Sequence, residues 1–464
     1  QGDRCKTIQL TIDSAIQFIV EQELDRAMAE NSPLAITCVA MDPRTGEVLA
    51  MANRPSYNPN RFWDYDPEVW KNRAVSYIYE PGSTFKAVVA GALLQEGIVA
   101  PNQVFVDPGY VMFSGKKIQN WNGASFGTVT FADVVKQSLN TGFAIFGYEL
   151  GAEKLISYAR LFGFGEPTGI ELPGEEIGIL YSPDEMVDSD IATMAIGQSI
   201  AVTPLQLITA FCAIANDGIL LKPHIVKRIK NANGTVYSET HVEEVRRTID
   251  SATDKTLVGL LEQVVATGGG RKATVRGYRV AGKTGTAQKV NEDGSGYTEG
   301  RYIASFCGFA PVESPQIALL VVIDDPYGAF YGGQIAAPVA SRIFSQVFRY
   351  LRIEPSDAPL GIDSDELDAE IGEGDASIHG MQRKETPKEV APPTPEPETP
   401  QEQLAPEFAR VPNFYGKSIR ESARLANEAG INFAAEGSGF AVNQSIGAGE
   451  IVDKGTTVKV QFSP

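Results

Sequence analysis

A stretch rich in proline and glutamate divides this 464-residue chain into two parts that must fold separately. Between residues 354 and 410 the sequence holds fifteen acidic and four basic residues, so this stretch carries −11 of the net charge of −18. From residue 361 to residue 407 no apolar period is sustained, and the prolines favour an extended spacer. We therefore predict a domain over residues 1–353, a flexible linker over 354–407 and a small module over 408–464.

Composition and charge exclude several classes of function. The chain has no basic patch, and most of its negative charge lies in the linker, which argues against nucleic acid as a partner. Its cysteines (Cys5, Cys38, Cys212 and Cys307) are too few and too scattered for a disulfide framework, and three lie in apolar stretches typical of buried free thiols. No cysteine or histidine pair has metal-ligand spacing, so we expect neither a metal nor another cofactor.

Hydrophobic periodicity predicts an α+β architecture for the first domain. Apolar residues recur at helical spacing up to Asn31, with Asp13 or Ser14 as the N-cap. Two apolar strands then flank a turn at residues 42–46, and three more strand-like runs lie between residues 279 and 326. A last helix is expected over Ala337–Leu351. A five-stranded sheet covered by helices accounts for this order of elements.

The segment after the linker regains an apolar pattern. An amphipathic helix is predicted from the apolar residues Ile419, Ala423, Leu425 and Ala426. The sequence TTVKVQF near the C-terminal end alternates apolar and polar residues, as a half-buried strand does. The segment is therefore a small α+β module.

The first of three chemical motifs is STFK at residues 83–86. Ser83 follows a Glu-Pro-Gly turn signal and precedes an apolar helical face, so it lies at a helix N-terminus, where N–H groups favour developing negative charge. Lys86 lies one turn further on the same face. To act as a base it must be neutral, and lowering its pKa from about 10.4 to about 7 takes roughly 4–5 kcal/mol. Burial and a second lysine both act in that direction.

The other two motifs are SLN at residues 138–140 and KTGT at residues 283–286. Lys283 is the candidate for the second lysine. The alternation over residues 280–290 predicts an exposed edge strand, in which Gly285 leaves room for a substrate backbone. In that strand Lys283 and the hydroxyls of Thr284 and Thr286 would face a substrate carboxylate.

Each short motif alone is weak evidence. A second S-x-x-K occurs at residues 114–117 and a second S-x-N at residues 56–58, whereas KTGT has no second copy. The copy at 114–117 lies in a polar hairpin or loop without an apolar helical face, so we reject it. The KTGT strand by itself is equally explained as an edge strand with a solvated lysine. The ordered set of three indicates a covalent acyl-transfer site.

This ordered set resembles the signatures S-x-x-K, S-x-N and K-T-G-[ST] of the penicillin-binding protein and serine β-lactamase superfamily. Segments such as YEPGSTFK at 79–86 and GKTGTAQ at 282–288 look like class B penicillin-binding proteins, over about residues 7 to 352. The C-terminal module resembles a PASTA domain, although residues 444–446 lack the usual proline. The resemblance implies a five-stranded antiparallel sheet flanked by helices.

The resemblance also implies roles for the motif residues. Ser83 would be acylated by the penultimate D-Ala of a peptidoglycan stem peptide, with Lys86 as the base. Ser138 would relay a proton to the leaving nitrogen, and Asn140 would hold the substrate amide. Backbone N–H groups of Ser83 and Thr286 would form the oxyanion hole. An amine of a second stem peptide would resolve the acyl-enzyme into a cross-link, and penicillin would acylate the same serine.

Three alternatives remain open on the sequence. A β-lactamase or β-lactam sensor needs a water-activating base, for which only Glu149 and Glu171 offer themselves. A D,D-carboxypeptidase would use water as the acceptor and shares every motif. A non-catalytic wall-binding scaffold would rely on the C-terminal module, but the intact pair of Ser83 and Lys86 argues against it.

The resemblance finally implies a cellular setting. It suggests septal or sporulation wall synthesis on the extracytoplasmic side of the bacterial inner membrane, with an anchor that this chain lacks. The implied ligands are stem peptides and β-lactams. The implied partners are a membrane glycosyltransferase and divisome proteins.

Overall fold

The computed structural model describes residues 6–291, 296–356, 408–414, 417–438, 440–447 and 450–463. It forms two compact units, one within residues 1–381 and the other within residues 382–464. Nearly all of the predicted linker lies outside the described residues, as does Cys5.

The first unit contains ten described helices, several of them short. They are α1 (Ser14–Asn31), α2 (Arg73–Ser76), α3 (Lys86–Gln95), α4 (Phe131–Lys136), α5 (Asn140–Leu150), α6 (Ala152–Leu161), α7 (Asp188–Met194), α8 (Pro204–Ala215), α9 (Ser251–Ala266) and α10 (Gly332–Leu351). A bilayer-spanning helix needs about 20 apolar residues, and none of the helices in the described ranges meets that requirement.

Fourteen described strands accompany these helices. They are β1 (Thr7–Leu10), β2 (Ala35–Met41), β3 (Val48–Arg54), β4 (Val104–Asp107), β5 (Tyr110–Phe113), β6 (Lys116–Gln119), β7 (Gly127–Thr130), β8 (Ile219–Leu221), β9 (Val226–Lys230), β10 (Val236–Glu239), β11 (Glu244–Arg247), β12 (Ala281–Val290), β13 (Tyr297–Ala310) and β14 (Ile317–Asp324).

The central sheet confirms the predicted five-stranded antiparallel architecture. Its order is β12-β13-β14-β2-β3, so the two strands from early in the chain pair with the three from late in the chain. Side chains alternate between the two faces of a strand. On β14, Val321 packs in the core formed with α1 and α10, whereas Leu320 packs in the core that includes α8. Both faces are therefore buried, which explains the continuous apolar run of β14.

The helices that begin and close the domain follow local sequence signals. α1 begins at Ser14, and the carboxylate of Asp13 accepts hydrogen bonds from the N–H groups of Ala15 and Ile16, which confirms the predicted cap. α10 begins at Gly332, so its predicted start at Ala337 was wrong. A side chain at Gly332 would collide with the carbonyl of Gly285, so α10 begins directly against the KTGT strand.

The second unit is a small α+β fold, as predicted. Its elements are β15 (Phe408–Arg410), α11 (Ile419–Ala429), β16 (Asn432–Gly437), β17 (Phe440–Gln444), β18 (Ile451–Asp453) and β19 (Thr457–Ser463). β19 lies between β16 and β17 in a three-stranded sheet. Its alternate residues Val458, Val460 and Phe462 form the core, which explains the period-2 pattern of this segment.

The packing predicts that Phe348→Ala and Phe18→Ala lower the free energy of unfolding by different amounts. Phe348 on α10 is fully buried, with its ring centroid 4.4 Å from that of Tyr278, whereas Phe18 on α1 is 61% exposed. We expect Phe348→Ala to lower the free energy of unfolding by about 3–5 kcal/mol, because it leaves a cavity. Phe18→Ala should change it by less than about 0.5 kcal/mol. Urea unfolding followed by circular dichroism measures both, and equal losses would contradict the assigned burial of α10.

Candidate active site

Three distant stretches of the first unit carry the motifs to one place. STFK spans a 3₁₀ turn at Gly82–Thr84 and the first residue of α3, as the turn signal and the apolar face predicted. SLN joins α4 to α5, and KTGT lies within β12, which is an edge strand of the sheet, as predicted. Ser138 is 52 residues from Lys86 and 145 residues from Lys283 along the chain, yet its hydroxyl contacts both amines.

The hydroxyl of Ser138 is the common point of this cluster. The Lys86 amine donates to Ser138 Oγ at 3.2 Å, and the Lys283 amine donates to the same oxygen at 2.9 Å. The Lys86 amine also donates to the Ser138 carbonyl at 2.9 Å and to Asn140 Oδ1 at 2.6 Å. A hydroxyl in contact with two amines can pass a proton from one to the other, since it is both a donor and an acceptor.

Burial makes the amines of Lys86 and Lys283 weaker bases than the amine of an exposed lysine. Each is only 1% exposed, and the ring of Phe143 lies 5.3 Å from the Lys86 amine. Burial lowers the pKa of Lys86 well below its ordinary value, and the charge of Lys283 lowers it further. Burial lowers the pKa of Lys283 to about 7. Burial and the charge of Lys283 therefore shift Lys86 towards the neutral amine that a general base requires.

Ser138 offers both its carbonyl oxygen and its hydroxyl oxygen to the Lys86 amine, and its backbone has an unusual conformation. Its φ angle is +56°, in the left-handed region that residues with a side chain rarely adopt. Such a conformation costs of order 1–3 kcal/mol and persists where the surroundings impose it. Asn140 then begins α5, and its Nδ2 group donates to the carbonyl of Gln119 at 2.8 Å. Its amide is thereby held between Lys86 and β6.

The structure shows a packing role for Gly285 besides the predicted approach of substrate. A Cβ atom at this position would lie 2.5 Å from Ser305 Oγ, 3.0 Å from the carbonyl oxygen of Pro81 and 3.0 Å from Thr84 Cγ2. The missing side chain therefore lets β12 pack against the turn that carries Ser83. The close approach is made by the protein's own backbone.

The side chains of KTGT alternate along β12. Lys283 and Gly285 belong to the buried positions of the strand, whereas Thr284 and Thr286 are partly exposed. The hydroxyl of Thr286 accepts a hydrogen bond from the N–H group of Gly332 at 3.0 Å. The strand thus contacts Ser138 through its lysine and the start of α10 through its last threonine.

Sequence reasoning missed a second turn that supports the serine. The N–H group of Gly82 donates to the carbonyl of Gly197 at 2.9 Å, and a side chain at Gly197 would collide with the Gly82 carbonyl. The φ angle of Gly197 is +85°, which suits glycine. The segment AIGQS at 195–199 contains this glycine, which is the only local signal for the contact.

The competing motifs and bases lie elsewhere. Ser114 forms the turn of the β5–β6 hairpin with a φ angle of +47°, which confirms the predicted hairpin. Asn58 of the second S-x-N caps a 3₁₀ turn by accepting from the N–H group of Asn60. Glu149 is exposed on α5, and the carboxylate of Glu171 accepts from the N–H group of Ile225 at 3.0 Å. Among the described residues, none of the four makes a hydrogen bond or an ion pair with Lys86 or Lys283.

Comparison with known proteins agrees with this geometry. Residues 36–345 match the penicillin binding protein transpeptidase domain, and residues 409–464 match the PASTA domain. The chain is 40% identical over 353 residues to stage V sporulation protein D of Bacillus subtilis and 37% identical over 370 residues to the peptidoglycan D,D-transpeptidase FtsI of Escherichia coli. These matches cover 75% and 79% of this chain but only 54% and 60% of the two relatives.

Solved structures show the same fold. Penicillin binding protein 3 from Mycobacterium tuberculosis, complexed with aztreonam, has a TM-score of 0.72 at 31% identity and covers 78% of this chain and 82% of its own. The corresponding domain of penicillin-binding protein 3 from Burkholderia pseudomallei has a TM-score of 0.66 at 31% identity, over 75% of this chain and 98% of its own. The chain therefore belongs to the penicillin-binding protein transpeptidase family. Its relatives are class B proteins, and its C-terminal module is a PASTA domain.

The electrostatics of the lysine pair predict a shift in titration. In protein labelled with ¹³C at lysine, we expect Lys283 to titrate at about pH 7 and Lys86 well below its ordinary value. Because the charge of Lys283 lowers the pKa of Lys86, Lys283→Met should move the Lys86 midpoint to higher pH. The matched change of an exposed lysine, Lys154→Met, should leave that midpoint unchanged. Ordinary lysine midpoints in the wild type would contradict the assigned burial.

The packing at β12 predicts opposite effects for two glycine-to-alanine changes. Gly285→Ala should lower the free energy of unfolding by about 1–3 kcal/mol, because its new methyl group meets Ser305 and the carbonyl of Pro81. Gly259 lies in α9 with open space at its Cβ position, so Gly259→Ala should raise that energy by about 0.5–1 kcal/mol. Thermal unfolding tests both signs, and a stabilising Gly285→Ala would refute the close packing of β12.

Proposed function

We propose that this chain is a serine acyltransferase that cross-links peptidoglycan stem peptides, a D-Ala-D-Ala transpeptidase. The observation that carries the proposal is the pair of buried lysines whose amines share the Ser138 hydroxyl. Ser83 lies one helical turn before one of these lysines, and the KTGT strand packs against its turn. This arrangement suits a serine nucleophile with a neutral amine as its base.

In the proposed acylation step, Lys86 takes the hydroxyl proton of Ser83. The Ser83 oxygen forms a bond to the carbonyl carbon of the penultimate D-Ala, and the carbonyl electrons move to the oxygen. Backbone N–H groups of Ser83 and Thr286 stabilise this oxyanion, each donor being worth about 10²–10³ in rate. The C–N bond then breaks, and the terminal D-Ala leaves with a proton passed from Lys86 through Ser138.

In the second step, an amine of another stem peptide attacks the Ser83 ester. The amine proton passes to Lys86, and the Ser83 oxygen regains a proton as the new amide forms. Asn140 orients the substrate amide, and Lys283, Thr284, Gly285 and Thr286 bind the substrate strand and its carboxylate. A β-lactam mimics the end of the stem peptide and acylates the same serine, but no amine displaces it.

The cellular setting forms part of the proposal. We place the catalytic domain on the extracytoplasmic side of the bacterial cell membrane, because peptidoglycan is assembled there. The names of the relatives, a sporulation protein and FtsI, favour septal or sporulation wall synthesis. A membrane glycosyltransferase and divisome proteins are the corresponding partners.

A fluorescent penicillin tests the nucleophile. We expect the wild-type protein to retain the covalent label for many minutes, and Ser83→Ala to lose labelling completely because the attacking oxygen is gone. The matched control is Ser114→Ala, which removes the serine of the other S-x-x-K and should label like the wild type. Gel fluorescence over time measures both labelling and its decay.

Penicillin labelling also tests the β-lactamase and scaffold alternatives, and an assay with a stem peptide tests the carboxypeptidase alternative. Rapid loss of the label with turnover of the drug would favour a β-lactamase, for which Glu149 and Glu171 would need to lie at the lysine pair. Release of D-Ala from a stem peptide without a cross-linked product, even with an acceptor amine present, would favour a carboxypeptidase. The absence of any labelling would favour a wall-binding scaffold and would overturn the proposal.

A further inference from the structure

Glu80 precedes Ser83 by three residues, and its carboxylate joins two segments that are far apart in sequence. One oxygen accepts a hydrogen bond from the N–H group of Ser199 at 2.9 Å. The other accepts from the hydroxyl of Tyr297, also at 2.9 Å. A single carboxylate thus links the stretch before the serine to both segments.

The first of these segments is the turn at residues 197–199, which lies against the serine turn. Its Gly197 makes the close backbone contact with Gly82 described above. Its Ser199 has a φ angle of +56°, and its hydroxyl lies 2.9 Å from the hydroxyl of Thr193. The bond from Ser199 to Glu80 holds this left-handed residue, and so fixes the turn that supports Gly82.

The second segment is the β12–β13 hairpin, which carries KTGT. Tyr297 is the first residue of β13 and pairs with Val290, the last residue of β12. A Cβ atom at Gly82 would lie 3.2 Å from the Ala287 side chain, so the serine turn also packs directly on β12. The bond from Tyr297 to Glu80 therefore ties the loop end of this hairpin to the stretch that precedes the serine.

We propose that Glu80 is a positioning residue, whose carboxylate holds the Ser83 turn between the turn at 197–199 and the β12–β13 hairpin. The inference rests on the proposed acyl-transfer function. Displacements of about 1 Å in a reacting group can reduce a rate by about 100-fold, so a tie at this point controls the rate of acylation.

The two contacts of Glu80 require acceptor or donor atoms in the right places and not a negative charge. Burial raises the pKa of Glu80, while the N–H group of Ser199 and the hydroxyl of Tyr297 oppose that rise. Glutamine has the same shape and keeps an acceptor oxygen for Ser199. Its amide can donate to the Tyr297 hydroxyl, so both links can form without the charge. Alanine removes both links.

The test separates drug binding from acylation in the full chain. Stopped-flow kinetics with a fluorescent penicillin give the dissociation constant of the drug and the acylation rate constant. We expect Glu80→Ala to lower the acylation rate constant by about 10- to 100-fold, with a change in the dissociation constant below about 3-fold. Glu80→Gln should remain within about 3-fold of the wild type in both, and Tyr297→Phe should fall between them. Glu153→Ala, an exposed glutamate of α6, is the matched control.

Each result decides the question. An unchanged acylation rate constant in Glu80→Ala overturns the inference, and so does a Glu80→Gln protein as impaired as the alanine variant, because charge rather than position would then matter. If Glu80→Ala does not fold, Tyr297→Phe decides, and a wild-type rate in that variant overturns the inference. A wild-type protein that is not acylated at all would instead refute the proposed function.

Discussion

The contact of two buried lysine amines with the one hydroxyl of Ser138 is the interaction on which the rest of this molecule depends. Removing an ammonium group from water costs several kcal/mol, and the structure does so twice within one cluster. The cost is tolerable only because the amines can lose their protons and because Ser138 and Asn140 provide fixed acceptors. The cluster thus gives up stability to hold two amines of lowered pKa against the hydroxyl of Ser138.

Close backbone packing holds the cluster together. The serine turn contacts β12 at Gly285 and the turn at 197–199 at Gly197, and β12 in turn contacts the start of α10 at Gly332. Gly197 and Gly332 lie against main-chain atoms, and Gly285 lies against the carbonyl of Pro81 and the side chains of Ser305 and Thr84. A protein interior packed in this way does not deform continuously. The packing therefore restricts how far Ser83 and the two lysines can move relative to one another.

Much of the architecture was predictable because local patterns dictate it. Alternation and apolar runs identified all five strands of the central sheet, and Asp13 identified the start of α1. The start of α10 at Gly332 was not predicted, since glycine is a poor helix former in isolation. The packing of Gly285 against the serine turn was not predicted, because sequence alone cannot tell which part of the chain comes close. The support from Gly197 was missed because it lies more than a hundred residues from Ser83 and follows no period.

The sequence by itself determined the order of the elements, a five-stranded sheet with strands from both ends of the first domain, and the candidate reactive groups. These follow from local preferences and from rare motifs, which neighbouring residues specify. Only the tertiary structure decided which surfaces meet, and hence that Lys86 and Lys283 are buried against Ser138 and weakened as bases. Burial and charge proximity depend on residues distant in the chain, and these are the two causes that lower the pKa of Lys86.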